Sequence, residues 1–594
     1  MADEKAKAKA EKGADKGVSD KELLRRAWPY VKADKGWLWV VAIMTPLGVG
    51  AGVVQPVLLK EGIDEHVAKG DLGGLGMIAL LFILAVFGGW VLSSLGYQAL
   101  QIVSLRGLVR LRAAIFRHVV GQGARFFDRR TTGSLMTRTI NDTDAIYESL
   151  ARGAGQLLTD LLTIVGMLVA MFILDWRLTL IAFAFSPIIW SVVGWFRRRL
   201  RPLSLTIRAS LSALNGFFAE QIYGMSLVQL YGAEAKSQRR FEDTSGEYMR
   251  AYHSANWLDA GLYAVMDGMS ALAIGAVVWF VAVQFTDADR SVTIGLLVAF
   301  VEYLGRIFVP IREFTGRIAA IQHATAALER VFNLLDSEDR VAEGTIDPGK
   351  IQGEVRFDGV TFAYAKDRPT VLEDVSFAVK PGEVVALVGA TGSGKTTIGK
   401  LLTRLYDGYE GSITLDGHEL KDVQLGAIRD QIAVVHQDVY LFDGTIGENI
   451  QLWNPAISLP DVQRAARSSR AASFIEALPD GYDTHLTERG GNLSTGQRQL
   501  LAIARVMARD ASVVVLDEAT ASVDSLTERL IDEAVATLFE QRTVIVIAHR
   551  LSTIRKADRI IVLHRGQVVE QGTHDQLMAM GGRYKLLVET GFAL

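Results

Sequence analysis

The hydrophobic positions of this chain fall into two regimes. From Trp37 to about Phe314 they form long runs, at about 37–60, 77–103, 156–174, 178–196, 258–284 and 292–314. Most reach the roughly 20 residues an α-helix needs to cross a hydrocarbon core about 30 Å thick, so six spanning helices are predicted. From Val355 onward the runs become short and β-branched, separated by glycine turns and amphipathic stretches. That pattern predicts an α/β domain of ordinary size.

The polar positions divide the chain further. Residues 1–22 are rich in Lys, Ala, Asp and Glu, and are expected to form a disordered tail. No short apolar core with a cleavage site follows, so no signal peptide is expected. The domain reading is 1–22 tail, 23–330 membrane domain, 331–352 linker and 353–594 α/β domain. Only Asp175-Trp176-Arg177 separates the third and fourth runs, a tight polar turn at a membrane face. Arginines, among them Arg106, Arg110, Arg125, Arg138, Arg197, Arg208 and Arg240, crowd the second-to-third and fourth-to-fifth connections. The connections at 61–76 and 285–291 are short and acidic or neutral, which puts both termini and the C-terminal domain in the cytoplasm. The two arginine-rich connections are amphipathic, so they read as helices continuing beyond the bilayer. Each breaks near its middle, around Phe126 to Gly133 and around Gln221 to Ser226. Such a break can present a short transverse helix to a cytoplasmic partner, or simply close a helical hairpin.

Composition narrows the chemistry. The 594 residues exceed one core, and a mean hydropathy of +0.22 beside 22% charged residues fits an apolar half joined to a polar half. A net charge of −3 leaves no basic excess for a nucleic-acid partner. Zero cysteines exclude disulfides, thiol catalysis and thiolate metal sites.

The candidate chemistry centres on Gly389, Ala390, Thr391, Gly392, Ser393, Gly394, Lys395, Thr396 and Thr397, which follow the apolar run Val384–Val388. A strand, a glycine-rich turn and a Lys-Thr pair opening a helix make a phosphate cradle. The glycines let backbone N–H groups crowd the phosphates, and the helix adds its positive end. Lys395 can reach the β- and γ-phosphates, and the Thr396 hydroxyl can ligate Mg²⁺. The apolar run Val513–Leu516 ends in Asp517 and Glu518, suited to hold Mg²⁺ and to orient or deprotonate a water, or merely to cap the next helix. His549 and Gln437 each follow an apolar run, where they can touch a γ-phosphate, a metal or a water; either alone would suit a structural role. Tyr364 can stack on adenine or serve as an edge-strand aromatic. Ser494, Gly496 and Gln497 precede a long amphipathic helix read as Arg498 to Ala508. Ser494 is there a cap or part of a second anion site that a head-to-tail dimer would bring onto a partner's nucleotide.

Taken in order, Tyr364, GATGSGKTT (389–397), Gln437, ERG (488–490), LSTGQ (493–497), VVVLDE (513–518), ASVD (521–524) and His549 resemble an ABC transporter ATPase domain. With six preceding spans and two long arms, the chain is similar to a half-transporter of the ABC exporter class. The resemblance implies a multidomain fold: an all-α six-helix transmembrane domain, then an α/β ABC-type P-loop ATPase domain. It implies ATP and Mg²⁺ as ligands and Tyr364 as the adenine-stacking aromatic. Lys395, Thr396 and Thr397 become the phosphate and metal contacts, Gln437 and Asp517 metal contacts, Glu518 the catalytic base and His549 the switch histidine. Ser494, Gly496 and Gln497 become contacts to the opposite subunit's ATP. Thr495 stands where the family has glycine, and a β-branched residue crowds the approach to a phosphate. That departure resembles the second subunit of bacterial heterodimeric multidrug exporters; a homodimer stays open. Export of amphipathic or xenobiotic compounds across the cytoplasmic membrane is the leading expectation. The alternatives are a lipid flippase, an ATP-gated channel or membrane regulator, and a soluble ATPase with a buried helical core. Asp267, Glu302 and Arg306 are ionisable groups at membrane depth that could line a substrate pathway, though Glu302 and Arg306 could equally pair with each other across one helical turn.

Overall fold

The computed structural model describes residues 19–284, 293–365, 367–517, 525–540, 542–548 and 550–590. The chain divides into two compact units. One comprises the membrane helices up to Val119 and from Thr132 to Ser337. The other comprises residues 120–131 together with Glu338 to the C-terminal end. The connection at 285–291 lies outside the described residues.

In the first unit, the opening helix Asp20–Lys32 takes in the last three residues of the expected tail, with Asp20 and Glu22 in its first turn where the helix dipole favours them. Six helices are long and apolar enough to span a bilayer: Lys35–Val67, Leu72–Val120, Gly155–Leu174, Trp176–Tyr223, Glu234–Val283 and Ile294–Leu335. The second has 49 residues, so at about 1.5 Å per residue it extends far beyond a 30 Å core. The most apolar window of each is only 6% to 44% buried. Trp90, Phe172, Ile173, Trp190 and Trp279 are among the exposed apolar side chains. Helices buried as the core of a soluble enzyme would hide these groups, so the soluble reading fails.

The turn between the third and fourth spans is a single extended residue. Asp175 accepts from the backbone N–H groups of Arg177 at 2.7 Å and Leu178 at 3.1 Å, capping the next helix. The fourth span is interrupted after Phe183 and resumes at Ser186-Pro187, where proline cannot donate to the preceding turn.

Within the second unit lie β1 (Val355–Phe362), β2 (Leu372–Val379), β3 (Val384–Val388), β4 (Glu410–Leu415), β5 (His418–Glu419), β6 (Ile432–Val435), β7 (Gly444–Thr445), β8 (His485–Leu486), β9 (Val513–Asp517), β10 (Thr543–Ile547), β11 (Arg559–His564) and β12 (Gln567–Gly572). One sheet runs β2-β1-β4-β5, and a larger one runs β12-β11-β3-β10-β9-β6. Strand β3 is buried on both faces. Val384, Ala386 and Val388 enter one apolar cluster, while Val385 and Leu387 enter another. A parallel strand covered on both sides needs this unbroken apolar run, and each such side chain contributes about 1.5–3 kcal/mol on burial.

Candidate functional site

The parallel register of the large sheet assembles the site. Leu387 on β3 is aligned with Ile547 on β10, and Ile547 with Asp517 on β9. Val435 at the end of β6 is aligned with Leu516. The phosphate loop after β3, Asp517 and the stretch leading to Gln437 therefore share one C-terminal sheet edge, the edge at which open α/β sheets bind ligands. Glu518, Asp524 and His549 lie outside the described residues.

Two glycines fix the loop. Gly394 has φ +102°, a left-handed conformation, and immediately precedes the helix Lys395–Leu402. Gly389 approaches so closely that a Cβ would lie 2.3 Å from the carbonyl oxygen of Leu563. The loop also holds a buried hydroxyl, Ser393 Oγ, with no hydrogen-bond partner in the structure. Lys395 is 5% exposed, and its Nζ donates to the carbonyl oxygens of Gly389 at 2.7 Å and Ala390 at 3.1 Å. Burial pushes its ammonium below the ordinary lysine range, and the charge of Asp517 offsets part of that. Thr397 is buried while Thr396 faces outward. A helix start, an unpartnered hydroxyl and a buried ammonium together make a place for phosphate oxygens.

Tyr364 lies beside the same loop. Its hydroxyl and that of Thr397 are 3.0 Å apart, and its ring meets Tyr406 edge-on at 5.0 Å. Gln437 and its neighbours His436 and Asp438 are exposed.

The LSTGQ segment differs from the sequence reading at its boundary. The helix spans Thr495–Arg509, starting three residues earlier than expected, because Ser494 is its cap. The Ser494 hydroxyl accepts from Gln497 N at 3.2 Å, and the Gln497 side chain accepts from Ser494 N at 2.9 Å. Arg498 donates to Thr495 Oγ1 at 3.1 Å and to the carbonyl oxygens of Leu493 at 3.0 Å and Gly490 at 3.4 Å, which ties this helix to the ERG turn.

Other links were invisible in the sequence. Arg505, farther along the same helix, donates to the carbonyl oxygens of Tyr440 at 2.6 Å and Asn449 at 2.7 Å, across the loop that follows Gln437. Burial pushes its pKa down to about 10. The first arm breaks at Val120 and forms the short helix Ala124–Asp128; the second breaks at Gly224 and forms Met225–Leu230. Phe126 in the first is buried, whereas the second has no buried residue and exposes Leu227 and Leu230. Arg125 donates to the carbonyl oxygen of Asp407, and Asp128 accepts from Tyr406. No spacing rule connects residues this distant; only the break around Phe126 to Gly133 hinted at a docking element.

Among the membrane residues, Arg306 Nε donates to Glu302 at 3.2 Å and Nη1 to Gln55 at 3.0 Å, so the i,i+4 pair forms and also reaches the first span. Asp267 is exposed on the fifth-span helix.

A six-span membrane region followed by a P-loop α/β domain in one chain defines an ATP-driven membrane transporter. Residues 38–311 match the ABC transporter transmembrane region, and residues 372–521 match the ABC transporter family. The chain is 36% identical over 579 residues to the uncharacterized ABC transporter ATP-binding protein YknV of Bacillus subtilis (strain 168), covering 96% of this chain and 94% of that protein. It is also 36% identical over 579 residues to an ATP-dependent lipid A-core flippase of Dechloromonas aromatica (strain RCB), covering 96% and 97%. At 33% identity over 574 residues it is similar to YgaD of Bacillus subtilis (strain 168), whose name provisionally describes a multidrug export ATP-binding/permease protein, covering 95% and 98%. The chain belongs to the ABC transporter family: it is an exporter half-transporter, a multi-pass membrane protein that couples ATP hydrolysis to transport and works as a dimer.

Proposed function

We propose that this chain exports amphipathic or xenobiotic compounds across the cytoplasmic membrane as one half of a heterodimer, with its ATPase domain and both termini in the cytoplasm. The domains in this reading are a tail that ends at the helix beginning with Asp20, a membrane domain to residue 330, a linker over 331–352 and a nucleotide domain over 353–594. The observation that carries the chemistry is the shared sheet edge of the phosphate loop and Asp517. Gly389 to Thr397 cradle the triphosphate, Lys395 neutralises its β- and γ-oxygens, and Tyr364 supports the base. The oxygen and amide donors Thr396, Gln437 and Asp517 suit a hard cation, so they would hold Mg²⁺, which supplies charge neutralisation at the phosphates. Glu518 orients and deprotonates the attacking water, and His549 donates to the γ-phosphate. In-line attack asks the protein for position and charge more than for covalent chemistry. Ser494, Gly496 and Gln497 reach a partner's nucleotide, so closing the dimer completes each site. The arms then turn that closure into a change of cavity access. Asp267, Glu302 and Arg306 belong to the substrate pathway in this reading.

Replacing Glu518 by Gln tests the core of it. ATP binding should stay within about two-fold while turnover falls at least about 100-fold; retained turnover removes Glu518 as the base. A lipid substrate is the second reading, supported by the similarity to lipid A-core flippases. Dye efflux from inverted vesicles, set against a lipid-flip assay on the same preparation, separates the two, and a bilayer conductance would favour a channel.

A further inference from the structure

An apolar cavity of about 610 Å³ lies in the membrane unit between the opening helix Asp20–Lys32, the first three spans and the end of the sixth-span helix. Ala27, Leu38, Leu100, Ile146 and Leu158 are among its lining residues, and the volume lies within the ~300–1,000 Å³ of ordinary ligand sites. Three polar groups beside it are linked to one another: Tyr147 donates to Gln101, and Gln101 to Tyr97, at 2.6 Å and 2.7 Å. On its flank Trp90, Tyr97 and Leu158 are 65%, 49% and 49% exposed, so the cavity adjoins the surface that faces lipid.

Its position along the spans is marked by charge. Asp34, just before the first span, is buried and accepts from both Arg106 and Arg110 at the end of the second apolar run. Arg110 also donates to the carbonyl oxygen of Tyr30, a cavity residue, and is thereby committed. Arg106 uses one nitrogen on Asp34 at 2.9 Å and keeps 56% of its side chain exposed. The opening helix adds an exposed Arg25 beside exposed Leu24 and Trp28, the arrangement of a helix lying in the membrane interface.

We infer that this cavity holds one acyl chain of an anionic phospholipid from the leaflet on the ATPase side, with the headgroup phosphate on Arg106. The inference rests on the proposed cytoplasmic orientation of the ATPase domain. An acyl chain gains little from leaving other acyl chains, so selectivity has to come from the headgroup, where one interfacial arginine is worth roughly a five-fold preference. A neutral guest would leave the exposed part of the Arg106 guanidinium with no acceptor beyond Asp34.

The test uses the full chain in vesicles containing phosphatidylglycerol or phosphatidylcholine with a diazirine near the acyl terminus. After photolysis, labelled peptides are mapped by mass spectrometry. Label from phosphatidylglycerol should concentrate on Leu100, Ile146 and Leu158, about five-fold above phosphatidylcholine. Ala27→Trp, or Ser94→Leu on another helix, should cut that label at least about five-fold with thermal stability retained. Arg106→Gln should equalise the two lipids while Arg110 still holds Asp34. Label spread evenly onto outward-facing Phe172 and Ile173, indifference to both filling variants, or cross-links showing a second subunit in the cavity would overturn the proposal. Dye efflux on the same vesicles keeps the readings apart: efflux without cavity labelling rejects the lipid site and leaves the transport reading standing.

Discussion

The hydroxyl of Tyr406 donates to the carboxylate of Asp128 across 2.6 Å, joining positions 278 residues apart. Asp128 ends the short helix in the first arm, and Tyr406 follows the helix that Lys395 opens. The Tyr406 ring also meets Tyr364 edge-on, so one side chain touches both the arm and the residue beside the phosphate loop. Burial and the Asp128 carboxylate push the hydroxyl above the ordinary tyrosine range, which keeps it a donor at any physiological pH. A hydrogen bond to a charged group contributes about 1.5–3 kcal/mol. Tyr406→Phe should therefore lower cargo moved per ATP at least about three-fold while ATPase activity in detergent stays within about two-fold. Adding Asp128→Asn should cost little more, since the two changes remove one interaction. Parallel transport and phosphate-release assays on the four proteins measure both quantities.

Gly123 explains why the first arm breaks where it does. Its N–H donates to the carbonyl oxygen of Asp339 at 2.8 Å, and an added Cβ would sit 2.6 Å from that same oxygen. Gln122 secures the same segment by accepting from Asp339 N at 2.8 Å. Gly123→Ala should destabilise this contact by about 1–3 kcal/mol. Gly133→Ala, where a Cβ meets nothing within 4 Å, should cost far less. Thermal unfolding of the full-length protein in detergent compares the two, and equal midpoints would contradict the close approach.

The legible features were those written in local pattern. Apolar runs of about 20 residues announced the spans, and Val384 to Thr397 announced strand, cradle and helix, because period and glycine placement are local signals. The breaks near Phe126 and Gly224 were legible for the same reason. The sequence places the start of Thr495–Arg509 too late although Ser494 reads as a possible cap, because the reciprocal partner Gln497 sits inside the motif and reads there only as a nucleotide contact. Long-range pairs such as Asp128 with Tyr406, Arg505 with Asn449, and Arg330 with Asp142 were illegible, since a charge or hydroxyl has no local rule for choosing a distant partner.

The lowered pKa of Lys395 gives nucleotide binding a pH signature. In the free protein, burial disfavours the ammonium. A bound triphosphate adds negative charge and raises the pKa again, so the bound form holds the proton more tightly. Affinity should be full below the lowered pKa of the free form and decline as pH rises through it toward that of the bound form. Folding has the opposite dependence from this group: the unfolded chain binds the proton more tightly, so stability rises with pH across the same interval. Isothermal titration at alkaline pH in two buffers of different ionisation enthalpy should reveal proton uptake on ATP binding. Lys395→Met should abolish the uptake and weaken binding at least about ten-fold. Uptake that persists in this variant would assign the proton to another group.

Thr495 bears on which partner the exporter uses. Its hydroxyl accepts from Arg498, and it is exposed in the first turn of a helix whose cap, Ser494, does not depend on it. Thr495→Gly should thus cost no more than about 1 kcal/mol of helix propensity while clearing the helix end for a phosphate. In a heterodimer, this helix end faces the partner's nucleotide, so hydrolysis supported by Lys395 and Glu518 should change by less than about two-fold. In a homodimer both sites use the altered segment, and clearing it should raise total hydrolysis several-fold. Phosphate release from the chain purified alone, and from the chain co-purified with a second half-transporter, distinguishes the cases. Low activity alone in both forms, with unchanged activity in the pair, is the expected result; a several-fold rise in the chain alone would make the homodimer the working assembly.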